Sequence, residues 1–354
     1  MVDTTSTPPP KGGWSRRPTM HDVAAVAGVS LSTVSRVVNG HGGVREDLAE
    51  RVRAAVDMLG YRRDLTASTL RRADRVSASV GLVLGHVSNP FFAAIHRGVE
   101  EVARSRGVLT FVGSSDEDPE RERELVHGFC GRGVDGLLIA SVARDQTYLL
   151  RDLQAGMGVV FIDRPPEAID ADAVLIDNTA AAAAAVDHLV ESGHRRIAFL
   201  GDREQIFTAR ERRRGYRAAL ARHLIPLDEA LVCTGLESSE AAFSATRTLL
   251  ALNDPPTALL PSQNLITGGA VHALRAEGRQ QEVAVVGIDD LSLADALEPG
   301  VTVIAQDPIG LGHTAAQLLF ARLDGETGPP RQVFIPTQLI VRGSGEIAPA
   351  TLTG

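Results

Sequence analysis

The 354-residue chain has two cysteines, one tryptophan, three tyrosines and, at Lys11, a single lysine. Cys130 and Cys233 stand far apart with no His or Cys neighbour at ligand spacing. They offer neither a disulfide framework nor a zinc cluster and read as small apolar residues of a cytosolic chain. No apolar run approaches the ~18–20 residues of a membrane-crossing helix. Residues 1–18 are rich in Pro, Gly and Ser and lack the apolar segment of a secretory signal, so a disordered tail is expected there. Also missing are a Walker loop, a G-x-S-x-G elbow and an H-E-x-x-H pair, and the ten histidines are scattered. These absences leave little support for catalysis, and neither an enzyme nor a cofactor is expected.

What is present is a chain with 44% apolar residues, long enough for a small module plus two larger lobes. Its net charge of −8 superficially opposes binding to a polyanion, but the distribution matters more than the sum. Residues 1–75 carry 12 Lys+Arg against 8 Asp+Glu, a surplus of +4, and the remainder carries 24 against 36, or −12. A basic head therefore precedes an acidic body.

The head centres on Thr19 to Gly40, TMHDVAAVAGVSLSTVSRVVNG. Thr19 and Asp22 form a T-x-x-D helix start. Val23, Ala24, Val26 and Ala27 supply an apolar face, and Gly28 a turn. Ser30 caps a second helix in which Val34, Val37 and Val38 face inward. Leu31, Ser32, Thr33, Ser35 and Arg36 are left for the outer face, a surface suited to a major groove. The plain alternative is a surface helical hairpin. A third helix is expected from about Arg45 to Leu59, stopped by Gly60, which closes a headpiece over 19–61. The basic stretch 62–76 has too little apolar surface to fold alone and reads as a linker.

The words D-V-A-x-x-A-G-V-S-x-x-T-V-S-R-V-x-N resemble the helix-turn-helix of LacI-type transcriptional regulators nearly position for position, and the resemblance runs to about residue 345. It implies that Leu31, Ser32 and Arg36 meet base edges of an operator with inverted symmetry, while Thr19, Ser30, Thr33, Ser35 and Asn39 hold phosphates. It also implies a hinge helix in 62–76, in which Ala67 and Leu70 match the family's A-x-x-L and Leu70 wedges into the minor groove. Arg63 and Asp64 stand where the family usually has Pro-Asn.

From Ser79 the pattern becomes alternating strands and helices. One series runs through SVGLVLGHV, VLTFVGS, VDGLLIA and GVVFID. A second runs through VLID, RIAFLG, ALVC, TALLP and VAVVGID. Two runs of βαβ units mean two doubly wound parallel-sheet lobes. The expected N-lobe is 77–163 with 307–336, and the expected C-lobe is 164–305 with 337–345, joined by three crossovers. Residues 346–354 form a tail without heptads, so a homodimer is expected to stay a dimer. The fold class is thus a small all-α headpiece plus an α/β body, and the body resembles type I periplasmic sugar-binding proteins.

In parallel sheets, ligands bind beyond the carboxyl ends of the strands. Asn89, Phe91 and Phe92 follow the first strand, and Asp163 and Arg164 the fourth. Arg210, Arg212, Gln263, Asp289 and Gln306 fall at such ends in the second series. Carboxylates accept from hydroxyl pairs, Arg donates in a fixed fork, and aromatic faces cover the C–H side of a sugar ring. Singly, any of these could cap a helix or form an ion pair. As a set they resemble the pocket of ribose-type binding proteins, and Gln263-Asn264 stands where those have Asn-Asp. The resemblance implies a cytoplasmic homodimeric repressor switched by a small carbohydrate. The alternatives are the same regulator under a purine or partner-protein corepressor, or a sugar-binding transport protein.

Overall fold

The computed structural model describes residues 18–39, 42–61 and 77–349, and the chain divides into two units, Met1–Ser77 and Ala78–Gly354. The hinge residues Ala67 and Leu70 lie outside the described residues.

In the first unit, helices α1 (Met20–Ala27), α2 (Leu31–Val38) and α3 (Glu46–Leu59) surround a core of Val23, Ala27, Val34, Val52 and Ala55. Local chemistry sets each boundary. Thr19 and Asp22 close a reciprocal capping box, with Thr19 N–H and hydroxyl each donating to the Asp22 carboxylate at 2.7 Å. Gly28 ends α1 at φ 62°, a left-handed conformation that glycine adopts without steric cost. Arg51 of α3 donates to the Ala27 carbonyl at 2.5 Å, so the third helix also satisfies the end of the first. Val26, expected on the inner face, is 50% exposed. The buried arc is centred on Val23 and Ala27, and Val26 falls at its margin.

The second unit carries two six-stranded sheets. The first contains β1 (Ser79–Leu84), β2 (Leu109–Ser114), β3 (Gly136–Ile139), β4 (Gly158–Ile162), β5 (Asp172–Leu175) and β11 (Gln332–Phe334), in the order β11-β5-β4-β3-β1-β2. The second contains β6 (Ile197–Leu200), β7 (Val232–Cys233), β8 (Ala258–Pro261), β9 (Ala284–Ile288), β10 (Thr302–Ala305) and β12 (Gln338–Ile340), in the order β12-β10-β9-β8-β6-β7. All pairings are parallel except β10 with β12. The central strands β1, β3, β8 and β9 are buried at every position, as strands covered on both faces must be.

Helices α4 (Pro90–Ser105), α5 (Pro119–Gly131), α6 (Leu150–Gln154) and α11 (Pro308–Leu323) belong to the first lobe. Helices α7 (Asn178–Glu191), α8 (Phe207–Arg222), α9 (Ser239–Leu250) and α10 (Asn264–Ala276) belong to the second. Helices α4 and α11 cross on glycine. A Cβ at Gly98 would strike the Ile309 carbonyl, and one at Gly312 would strike that of Ile95. The alanine run of α7 buries Ala181, Ala182 and Ala185 against the core.

One lobe boundary is corrected. VLID, expected to open the second lobe, is strand β5 of the first sheet, where it pairs with β4 and β11. The C-lobe therefore begins after residue 176 rather than at 164. Arg322 of α11 and the backbone N–H of Arg331 both bind Asp172, at 2.7 Å, and hold β5 to the first lobe. His194, read as scaffold, is fully buried with Nε2 2.7 Å from the Ile347 carbonyl. Burial holds its pKa below the usual range, so the neutral ring donates that bond.

Candidate functional site

The headpiece presents a small polar surface on α2. Leu31, Ser32 and Arg36 are exposed, while Thr33, Ser35 and Asn39 are half-buried beside them. The Ser30 hydroxyl caps the helix by accepting from the Thr33 N–H at 3.2 Å. It lies 2.8 Å from the hydroxyls of both Ser32 and Thr33. Asn39 donates to the Ser35 hydroxyl at 3.1 Å. Arg36 donates to the Gly42 carbonyl at 2.6 Å, so its guanidinium is held against the following loop. The surface combines one fixed Arg fork with a cluster of hydroxyls that can each donate or accept, a donor set suited to base edges and phosphates.

In the second unit a narrow cleft lies between the lobes, beyond the carboxyl ends of both sheets. Asn89, Phe91, Phe92, Asp163, Arg164, Arg212, Gln263 and Asp289 all line it. Each is placed by the strand or helix end it follows. Asn89 caps α4 by accepting from the Phe91 N–H at 3.0 Å. The Phe91 and Phe92 rings meet edge to face at 5.4 Å. Asp163 follows β4 and Asp289 follows β9, both at positive φ, 68° and 69°. This conformation is disfavoured for residues with a Cβ and is found where a site fixes the side chain.

The charges are tightly ordered. Arg164 grips Glu117 through both terminal nitrogens, at 2.6 and 2.7 Å. Burial alone would raise the Glu117 carboxyl, but Arg164 outweighs it and holds the group below its ordinary range. Arg212 donates to Asn178 at 2.7 Å and to the Ser262 carbonyl at 2.6 Å, and sits 3.6 Å from Asp289. Asp163 is pushed up to about 6, chiefly by burial, against the pull of Arg164 and Arg212. Burial likewise raises Asp202. Around these groups Asp163 Oδ1, Arg164 Nε, Asn178 Nδ2, Ser262 Oγ and Gln306 Oε1 are buried without a hydrogen-bond partner. Unsatisfied polar atoms are costly in a folded protein; these gather around one space, while those of Thr110, Arg213, Gln280 and Arg331 lie elsewhere. Among the described residues no cluster of His, Cys, Asp and Glu could hold a metal ion.

Two expectations need correction. Arg210 does not line the cleft. It bonds Glu167 at 2.8 Å and the Gln205 carbonyl at 2.8 Å, at the rim where the lobes meet. Residues two apart on a helix face different ways, so Arg212 points into the cleft and Arg210 cannot. Gln306 is also absent from the lining. It stands behind Asp289 and donates to its carboxylate. The structure adds His86, Glu117, Asp202, Arg203, Thr208, Ser262 and Glu237 to the lining. Of these, Thr208 was detectable as the residue one helical turn before Arg212.

Comparison with known proteins agrees with the two-part architecture. Residues 19–64 match the family model of bacterial regulatory proteins of the lacI family, and residues 186–345 match a periplasmic binding protein-like domain. The chain is 36% identical over 338 residues to the HTH-type transcriptional regulator CelR of Thermobifida fusca, covering 93% of this chain and 99% of that one. It is 32% identical to the maltose regulon regulatory protein MalI of Escherichia coli, covering 92% and 98%. Among solved structures, a CelR–cellobiose complex shares 34% identity with a TM-score of 0.68, covering 93% of this chain and 100% of that one. The lac repressor dimer bound to operator shares 26% identity with a TM-score of 0.80, covering 94% and 100%. With the helix-turn-helix head at one end and a binding-protein-like body over the rest, the chain belongs to the LacI family of bacterial transcriptional regulators.

Proposed function

We propose that this regulator works in the cytoplasm as a homodimeric repressor and binds an operator of inverted symmetry. We further propose that a small carbohydrate held in the interlobe cleft changes its operator affinity. One recognition helix reads only a few base pairs, so specificity calls for two heads. The observation that carries the effector reading is the cleft itself. A buried carboxylate oxygen and a buried hydroxyl without partners, Asp163 Oδ1 and Ser262 Oγ, belong to residues that line it beside the Phe91 and Phe92 rings. A polyhydroxylated ring has hydroxyls that both donate and accept, and C–H faces that cover aromatics. The cellobiose bound by the related CelR structure makes a β-linked glucose disaccharide the first candidate. Regulator relatives are known, and no enzyme chemistry is assigned to the cleft.

A thermal-shift panel of cellobiose, other disaccharides, monosaccharides and purine bases tests the effector. Gel-shift on selected DNA then tests the switch. Stabilisation by at least one sugar, with a matching change in operator affinity, is expected. Stabilisation by a purine alone would replace the sugar reading by the corepressor reading, and a protected DNA site without inverted symmetry would remove the dimer.

A further inference from the structure

Each arginine that lines the cleft stands near an acid, and among the three Arg164 alone is hydrogen-bonded to one. Arg164 is clamped by Glu117 through both terminal nitrogens and faces Asp163 at 3.5 Å. Arg212 faces Asp289 at 3.6 Å. Arg203 faces Glu237 at 3.6 Å and Asp202 at 3.9 Å. His86 is 3.1 Å from Asp116. The lining holds the acids Glu117, Asp163, Asp202, Glu237 and Asp289 against three arginines and this histidine. The surplus charge is therefore negative; Glu237 is exposed, but Glu117, Asp163 and Asp289 are buried, where repulsion is little screened.

Glu117 holds a particular place in this set. It is 6% exposed and sits at φ 58° in the loop after β2, where its carboxylate is held in the cleft by Arg164. A Cβ added at Gly85 would run into the Glu117 carboxylate, so the glycine leaves the space that the carboxylate fills. The Arg164 guanidinium lies 6.0 Å from the Phe92 ring, against the aromatic floor where a ligand would rest. Without Glu117, its fork would face the cleft as a bidentate receptor for carboxylate or phosphate. With Glu117 in place, an anionic ligand must displace a buried carboxylate to reach it.

We infer that Glu117 is a specificity-determining residue, which commits Arg164 and makes the cleft select uncharged sugars and refuse sugar acids and sugar phosphates. The inference rests on the carbohydrate reading above and narrows it.

The test measures binding by calorimetry, on the full chain, of matched pairs that differ in one anionic group. The pairs are cellobiose with cellobiose 6′-phosphate, glucose with glucuronate, and ribose with ribose 5-phosphate. The neutral member of at least one pair should bind, with its anionic partner at least about tenfold weaker. An anionic member that binds as tightly as its neutral partner overturns the inference and leaves the carbohydrate reading standing. Failure of both members of every pair, alongside binding of a purine, overturns the carbohydrate reading and this refinement with it. In Glu117→Gln the freed Arg164 fork should bring the anionic member to within a few-fold of the neutral one. In Glu117→Asp, which keeps the charge, the exclusion should persist. A folded Glu117→Gln protein that discriminates as the wild type does removes the role of Glu117. Where that variant does not fold, the wild-type ratio and Glu117→Asp decide.

Discussion

The side-chain amide of Asn264 donates to the side-chain carbonyl of Asn89 at 2.8 Å, and this hydrogen bond spans the cleft from the second lobe to the first. Asn89 caps α4 and Asn264 is the first residue of α10, so the bond ties two helix N-termini that open on the same space. Two further contacts cross at the rim, Arg210 with Glu167, and Val142 with Ile206 and Ala209. A ligand that enters must work with these bonds or replace them.

Asn264→Ala is expected to loosen the closed arrangement and weaken sugar binding by roughly 0.5–1.5 kcal/mol, the usual net worth of one such bond. Asn89→Ala should do the same and also lower stability by roughly 0.5–2 kcal/mol through loss of the α4 cap. Calorimetry and urea unfolding on both variants separate the two effects. Equal stability loss in both would mean that the cap is not what distinguishes them.

Asp163 supplies a pH dependence. Its carboxyl is raised from 3.8 to about 6 in the folded protein, mainly by burial. The native state therefore holds a proton between pH 4 and 6 that the unfolded state has released, so this group's contribution makes stability fall as pH rises through that window. The two values differ by about 2 pKa units, which corresponds to on the order of 3 kcal/mol. Asp163→Asn should flatten that part of the stability curve. Sugar hydroxyls that donate to the charged form favour it, so effector binding should weaken below about pH 6 in the wild type and lose that dependence in the variant. Chemical denaturation and calorimetry across pH 4–8 check both slopes.

Glu122 is fully buried and serves as the acceptor that shapes the loop after β3. It receives the Ser141 hydroxyl at 2.7 Å, the Val142 N–H at 2.6 Å and the Tyr148 hydroxyl at 2.5 Å. The same loop presents the Ser141 carbonyl to Arg164 at 3.4 Å and Val142 to the opposite lobe. Glu122→Ala leaves several buried donors without an acceptor and should cost roughly 2–4 kcal/mol. Weaker sugar binding should accompany it, because Arg164 loses part of its backing. A denaturation midpoint unchanged from wild type would contradict this account.

Much of this arrangement could be read from residue order alone, for a physical reason. Helix ends are set locally, so Thr19 with Asp22, Gly28 and Ser30 announced the headpiece. Parallel sheets put ligands at strand ends, so Asn89, Asp163 and Asp289 could be placed before any packing was known. What escaped depended on longer-range facts. Asp116, Glu117 and Asp118 form one acidic run; Asp116 and Glu117 both sit at positive φ, and only the packing of the fold, which buries Glu117 and leaves its two neighbours exposed, selects the residue that turns inward. Strand β5 looks like any other buried strand, and only its pairing with β4 and β11 assigns it to the first lobe. Arg210 and Arg212 share a chemistry, and the helical period that separates them was the signal left unused.

At the headpiece, Arg36 is the exposed cation on the outer face of α2. Arg36→Ala should lower operator affinity by roughly 1–3 kcal/mol and relax one base-pair position, as loss of a bidentate guanine contact would. Ser32→Ala should change affinity less. Selection of binding sites by the variant, followed by footprinting, measures the relaxation. An affinity loss that is uniform across sequences would reassign Arg36 to phosphate.

The last expectation joins the two units. If a sugar alters operator affinity by some factor, operator DNA must alter sugar affinity by the same factor, because both routes connect the same four states. Such couplings are typically ~1–3 kcal/mol, or about 5- to 150-fold. Asp289 belongs to the second unit, where Gln306 orients its carboxylate beside Arg212. Arg36 belongs to the first. Asp289→Ala should therefore abolish the sugar response and leave unliganded operator affinity nearly intact. Arg36→Ala should weaken the operator while sugar binding in the absence of DNA stays as it was. Calorimetry with the effector, run with and without a saturating operator duplex, gives the coupling in one direction, and gel-shift with and without saturating sugar gives it in the other. Two unequal factors would mean that a further state, such as a change of oligomer, is coupled to one of the ligands. A factor of one in both directions would mean that the protein binds both molecules without any switch between them.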